Sequence, residues 1–385
     1  MTVTEEGLKR ADDHWAVQSI PEMVRRQIWR DVEHRLVFGA LGNVLRDTAH
    51  PSDPTDLNRL ASAYEIAAID GVDALLFPGR DPEAEGLAEA AAYRAYSVLR
   101  VAPIPSEPHQ KVAHVLRICS FAYGGDEWPD ARGWLRDHWE ECQLPSPPDE
   151  ATSWDQQLLF VIYDCWLRLF RKAGWEDLES IAGTIGRLRD QQQEHEPALL
   201  ADEEANTRQS ALYLAGLYHW ARATEMLSTF ILQGEPNAVE SEVDRHLELA
   251  REAAFQSHDI TFDVLIRWLH IAARRMITSS IWSAVAGVGS DVHRFAASAV
   301  RRNGLFELLP PQRAALREGG LLDAASQAIV VELPTSGGKT ALAEFRIVQA
   351  LNQFSDDNGW VAYVAPTRAL VSQIARRLRR RGCVI

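Results

Sequence analysis

Residues 328–345 read AIVVELPTSGGKTALAEF, and the reading of this stretch decides the fold of the C-terminal end of the chain. Ala328 to Leu333 is a short apolar run with β-branched residues, which predicts a strand. Pro334 to Gly338 cannot continue it, and from Thr340 the apolar positions take helical spacing. Strand, glycine-rich loop and helix in that order is what a phosphate-binding loop requires, because the turn and the helix N-terminus must present backbone N–H groups to the oxygens of a nucleotide. Gly337 and Gly338 allow the close backbone approach, Lys339 supplies a point charge for the β- and γ-phosphates, and Thr340 supplies a hydroxyl for Mg²⁺. The general pattern G-x-x-x-x-G-K-[ST] fails only at its first position, where Leu333 stands in place of glycine.

Working outward, the charge of the chain is uneven. Residues 301–385 carry 12 Lys and Arg against 7 Asp and Glu, whereas residues 1–300 carry 28 against 47, within a net charge of −14. A phosphate backbone is attracted to the first and repelled by the second, so nucleic acid, if bound, belongs at the C-terminal end. Nearly all the basic residues are Arg; the lysines are Lys9, Lys111, Lys172 and Lys339, and one of these four falls in the loop.

With 385 residues, 46% of them hydrophobic, the chain has material for more than one core. No stretch approaches the roughly 18–20 uninterrupted apolar residues of a membrane span, and the N-terminus MTVTEEGLKRADDHWAV lacks the pattern of a secretory leader. Cys119, Cys142, Cys165 and Cys383 form no CxxC pair, so reduced thiols and a cytoplasmic location are expected. The histidines His109, His114 and His195 lack the paired spacing of a zinc site and read as ordinary surface or core residues.

Residues 1–12 read as a frayed start. Residues 13–300 read as an all-α accessory domain, interrupted at HPSDPTD (50–56), FPGRDPEAEG (77–86), VAPIPSEP (101–108), YGGDEWPD (123–130), LPSPPDE (144–150) and QGEP (233–236). Leu158 to Phe170, Ala211 to Leu232 and Val264 to Trp282 are apolar over most of their circumference, as buried helices are. PALLADEEAN (197–206) reads as a helix start rather than a strand. The tryptophans near turns, Trp128, Trp134, Trp139, Trp154 and Trp175, sit among acidic residues and read as core wedges rather than base-stacking surfaces. No fixed repeat is found, and an irregular, solenoid-like packing of helix pairs is expected.

From residue 301 the style changes. Leu309-Pro310-Pro311-Gln312, then Gly320-Leu321-Leu322, then Leu333-Pro334-Thr335-Ser336-Gly337-Gly338-Lys339-Thr340 resembles the Q motif and motif I of superfamily 2 DExD/H-box helicases, in the Ski-like and polymerase-theta-like branch. WVAYVA (360–365) reads as a second strand. Pro366-Thr367-Arg368, followed by a helix through Gln373 and the arginines 376, 377, 379, 380 and 381, is similar to motif Ia. A helix start, a hydroxyl and a cation together suit a backbone phosphate. The resemblance implies that Gln312 reads adenine, that Pro334 to Thr340 hold ATP with Mg²⁺ on Thr340, and that Pro366, Thr367, Arg368 and Gln373 hold one strand of DNA or RNA.

The fold expected is mostly α, with the helical domain followed by the start of a RecA-like α/β domain with parallel strands, truncated after motif Ia. The DExD/H motif and second lobe that the family uses for hydrolysis are not among these residues. The chain is therefore expected to be the N-terminal part of an ATP-dependent helicase or translocase, inactive by itself. The alternative is an inert protein whose acidic helical domain serves as a protein-interaction module, of the kind found ahead of bacterial defence helicases.

Overall fold

The computed structural model describes residues 3–40, 52–77, 79–144, 154–200, 207–235, 238–286, 290–317, 319–323, 325, 328–333, 337–354 and 360–380. The described residues are overwhelmingly helical, and no described helix is long and apolar enough to cross a membrane. They form two compact units. The first comprises Met1–Arg171, Ser180–Leu227 and Ala238–Arg275; the second comprises Lys172–Glu179, Ser228–Asn237 and Met276–Ile385.

Three of the breaks in the sequence turn out to be helix starts of one design. Asp53, Asp81 and Glu107 each accept backbone N–H groups with their carboxylates, and each precedes a proline at the first helical position. Proline suits that position because its missing N–H has no intrahelical partner there, and the carboxylate satisfies the donors that follow. The Pro82–Leu99 helix so begun is the hub of the N-terminal part. Ala88, Ala90, Ala91, Ala92 and Ala95 are fully buried, and their small side chains let the Glu5–Asp13, Pro54–Ile69, Val72–Leu76 and Pro108–Gly124 helices close in around it. Packing about one central helix differs here from the file of neighbouring pairs expected of a solenoid.

The remainder of the first unit is wedged by aromatic side chains. Trp166 and Trp220 are fully buried, and the Trp166 indole N–H donates to Thr224 Oγ1 at 2.8 Å. Trp268 meets Phe121 edge-on with ring centres 4.5 Å apart. Trp128, Trp134 and Trp154 are buried as expected, and Trp139 lies under Arg171; in the second unit Trp175 lies under Arg301. Cys142 and Cys165 are buried, and burial pushes each thiol up to about 12, so neither is a nucleophile at neutral pH. His114 is held neutral, since burial pulls it down to about 4. The helix start expected at residue 197 is instead a helix end: the Trp175–Leu200 helix runs through Pro197, whose missing N–H and ring bulk are tolerated in the final turn region. Residues 201–206 lie outside the described residues.

An acid-sensitive ion pair lies within the first unit. Burial raises the Asp244 carboxyl, but hydrogen bonds from Arg274 and His270 outweigh it and bring the group down to about 2. A carboxylate depressed in the folded state stabilises above its unfolded value near 4 and stops doing so as pH falls through about 2. With the side chain 19% exposed, its contribution is about 1 kcal/mol after allowance for solvent screening. Acid unfolding is expected to steepen between about pH 4 and pH 2, and Asp244→Asn to flatten that part of the curve. A circular-dichroism pH titration giving identical curves for both proteins would reject this pair as the sensor.

In the second unit the Ser290–Asn303 helix packs on the Lys339–Gln353 helix, with Phe295 and Phe345 edge to face at 5.1 Å. The Pro310–Arg317 helix adds a smaller contact to the latter. The two expected strands are not formed: residues 328–333 and 360–365 run without regular pairing, and among the described residues the only β-contact is an isolated bridge between Ser280 and Glu307. The physical reason is exposure. Parallel strands are stable when covered on both faces and paired along their edges, and here Val330 is 95% and Val364 90% exposed, with Trp360 also exposed.

Candidate nucleotide and nucleic-acid site

The Lys339–Gln353 helix starts without any side-chain cap, at Gly338 with φ +78°. Left-handed backbone favours glycine, and space demands it as well: a Cβ at 338 would lie 2.0 Å from Gln312 Nε2. The uncapped first turn leaves its N–H groups without the side-chain partner most helices provide, with the positive end of the helix dipole behind them. Ala341, Leu342 and Phe345 are buried and fix the helix against its neighbours, leaving Lys339 exposed and Thr340 partly exposed at the open end. The Lys339 ammonium donates to the carbonyl oxygen of Leu333, the last described residue before the loop. Gly337 is buried; Pro334, Thr335 and Ser336 lie outside the described residues.

Gln312 is buried on the Pro310–Arg317 helix, and its amide is engaged by protein. Oε1 accepts from the Leu309 backbone N–H at 2.9 Å, and Nε2 donates to the Gly338 carbonyl at 3.4 Å. These two bonds use one of the amide's two donors and one of its oxygen lone pairs. The sequence places Gln312 near the loop, but the bond to Gly338 itself carries no local signal. Arg346 carries no local signal either: it donates to the carbonyls of Leu321 and Asp323, and so ties the turn before the loop to the helix after it.

At the other motif, Thr367 caps the Arg368–Arg380 helix. Its hydroxyl accepts from Leu370 N–H at 3.3 Å and its carbonyl from Val371 N–H at 3.1 Å. Pro366, Thr367, Arg368 and Gln373 are all exposed, so this helix start is open to a ligand. Ile374 and Leu378, four apart, are buried, which turns Arg376 and Arg379 outward. The side chains of Arg377 and Arg380, and all of Arg381, lie outside the described residues. Among those described, the Arg368–Arg380 helix makes no contact with the Lys339–Gln353 helix as extensive as that of the Ser290–Asn303 helix.

A looped-back lysine at an uncapped glycine-led helix is shared by many nucleotide-binding proteins, and the sequence comparison distinguishes among them. Residues 310–385 match the family model of the DEAD/DEAH box helicases. This segment is similar to the DEAD/DEAH box helicases. The chain is 34% identical over 80 residues to the ATP-dependent DNA helicase Hel308 of Pyrococcus abyssi (strain GE5 / Orsay), covering 21% of this chain and 10% of the relative. It is 37% identical over 71 residues to the Hel308 of Methanocella arvoryzae (strain DSM 22066 / NBRC 105507 / MRE50), covering 18% and 9% respectively. The chain thus spans about a tenth of the length of these curated relatives. Within the matched segment lie Gln312, the Gly338 turn and the Thr367 cap, so the family match and the local geometry fall on the same residues.

Proposed function

We propose that this chain carries the ATP-binding start of a DNA or RNA helicase or translocase, with residues 13–300 as a helical accessory domain ahead of a RecA-like segment at 301–385. The observation that carries the reading is an exposed lysine, Lys339, at the first position of a 15-residue helix that starts uncapped at a left-handed glycine. An exposed cation, helix-terminal N–H groups and a hydroxyl converge there, and these fit the β- and γ-phosphates of ATP and its Mg²⁺. In this reading Lys339 leaves the Leu333 carbonyl for phosphate, Thr340 turns its hydroxyl to the metal, residues 334–338 wrap the phosphates, and Gln312 offers its remaining donor and acceptor to adenine. Bound ATP supplies the phosphoanhydride whose cleavage drives such motors. Pro366, Thr367, Arg368 and Gln373 hold the backbone of one nucleic-acid strand.

The test is equilibrium binding of a fluorescent ATP analogue with Mg²⁺. Removing the ammonium in Lys339→Ala is expected to cost about 1.5–3 kcal/mol, the range for hydrogen bonds to charged groups, or roughly 10- to 150-fold in affinity. Lys339 is exposed, so the melting temperature should hold. Equal binding by the two proteins would reject the site. For the strand, Arg368→Ala is expected to weaken single-strand binding about equally across sequences and to lower the slope of log affinity against log salt by about 1. A changed sequence preference with an unaltered slope would remove Arg368 from the backbone contact.

A further inference from the structure

The most deeply buried ion pair of the second unit lies upstream of the nucleotide loop. Lys172 Nζ stands 3.3 Å from Glu307 Oε2, and both side chains are 0% exposed. Stability alone is a poor reason for such a pair, because desolvating two charges offsets most of their attraction and apolar residues of equal size commonly do as well. Lys172 also sits at φ +43°, a backbone conformation in which glycine would be at ease and a lysine is strained. Two unfavourable features at one residue point to a positional role for its ammonium.

What the pair positions follows from the contacts around Glu307. Residues 306–308 are threaded against 279–281: Ile281 N–H donates to the Phe306 carbonyl at 3.1 Å, Leu308 N–H donates to the Ser279 carbonyl at 2.8 Å, and Ser280 bridges to Glu307. Phe306 and Leu308 are fully buried on either side. Two residues later the chain enters the Pro310–Arg317 helix, which is tied to the same strip: Arg313 donates to Ser279 Oγ and Arg317 to the Thr278 carbonyl. That helix carries Gln312, whose amide reaches the Gly338 carbonyl at the turn into the loop helix. A continuous run of named contacts therefore leads from Lys172 to the start of the phosphate loop's helix.

We propose that Lys172 and Glu307 are positioning residues for the nucleotide loop: the buried pair fixes where the Pro310–Arg317 helix stands and, through Gln312, where Gly338 turns. The proposal rests on the nucleotide reading of that loop given above. It places a lysine 167 positions upstream of Lys339 in the support of the ATP site, so that segments drawn from the helical part of the sequence set the affinity of the helicase segment for nucleotide.

Two readouts on the whole chain test it: amide hydrogen exchange, and binding of a fluorescent ATP analogue with Mg²⁺. Lys172→Met is expected to speed exchange at least tenfold in 309–317 and 338–345 while leaving the Pro82–Leu99 helix unchanged, and to weaken nucleotide binding at least fivefold. Because Lys172 and Gln312 act along one path, the Lys172→Met/Gln312→Ala double variant should bind within twofold of the weaker single variant. Multiplying effects, or unaltered exchange at 338–345, overturns the proposal, since a residue that only stabilises the fold has no reason to couple to Gln312. Should Lys172→Met fail to fold, Glu307→Gln keeps the shape and removes the charge; the same exchange pattern supports the proposal and a wild-type pattern overturns it. A wild-type chain that binds no nucleotide rejects the ATP reading, and the exchange result then decides the strut by itself.

Discussion

Gly338→Val is expected to abolish measurable nucleotide binding while the first unit stays folded. Residue 338 holds φ +78°, and a side chain in that left-handed conformation costs about 1–2 kcal/mol. The added Cβ would also fall 2.0 Å from Gln312 Nε2, so the amide must leave both Leu309 and Gly338. Stranding a buried amide costs about 1–3 kcal/mol more. The sum, about 2–5 kcal/mol, is roughly a 30- to several-thousand-fold loss of the competent loop. The two parts separate experimentally. In a Gln312→Ala background the obstruction is gone, so Gly338→Ala should there cost only the backbone strain, roughly 5- to 30-fold. Gly338→Val that binds a fluorescent ATP analogue as the wild type does would mean the loop takes another backbone when it works, and the geometry at Gly338 would lose its meaning for function.

The helix start at Gly338 was legible because its requirements are local. A glycine at positive φ, a lysine and a hydroxyl at a helix start are all dictated by neighbours within a few positions, and the change of period at Thr340 marks the helix directly. The helix starts at Asp53, Asp81 and Glu107 were half legible. The prolines announced a break, and the acidic residue before each one is what shows that the break is a cap. The strands at 328–333 and 360–365 were not legible in the same way, since an apolar run becomes a strand only when other strands pair with it and helices cover it. With Val330 and Val364 exposed, neither condition is met among the described residues. The Lys172–Glu307 pair could not have been read at all. Its members are 135 positions apart, and nothing in the sequence beside Lys172 announces a charged residue with no exposed surface. Gln312 lies between these cases: its place before the loop is in the sequence, but its bond to Gly338 depends on how two helices meet.

The largest effect on stability is expected at Trp166 in the first unit. Trp166→Ala should destabilise that unit by about 3–5 kcal/mol, the range for deleting a fully buried aromatic side chain. The ring stands 5.4 Å from Phe170 and 6.4 Å from Trp220, so its loss opens a cavity between large neighbours that cannot simply collapse. Its indole N–H donates to Thr224 Oγ1, and that hydroxyl donates in turn to the Trp220 carbonyl at 2.7 Å. Trp166→Phe keeps much of the volume and leaves the Thr224 hydroxyl its own acceptor, so only one lone pair goes unfilled. It should therefore cost about 1–2 kcal/mol. Urea unfolding followed by far-ultraviolet circular dichroism measures both. A ranking with Phe well below Ala is what a packing wedge produces. Equal, small effects of less than 0.5 kcal/mol, the range for ordinary surface positions, would mean that the tryptophans of this acidic helical region are not its core, and a base-stacking surface would have to be reconsidered.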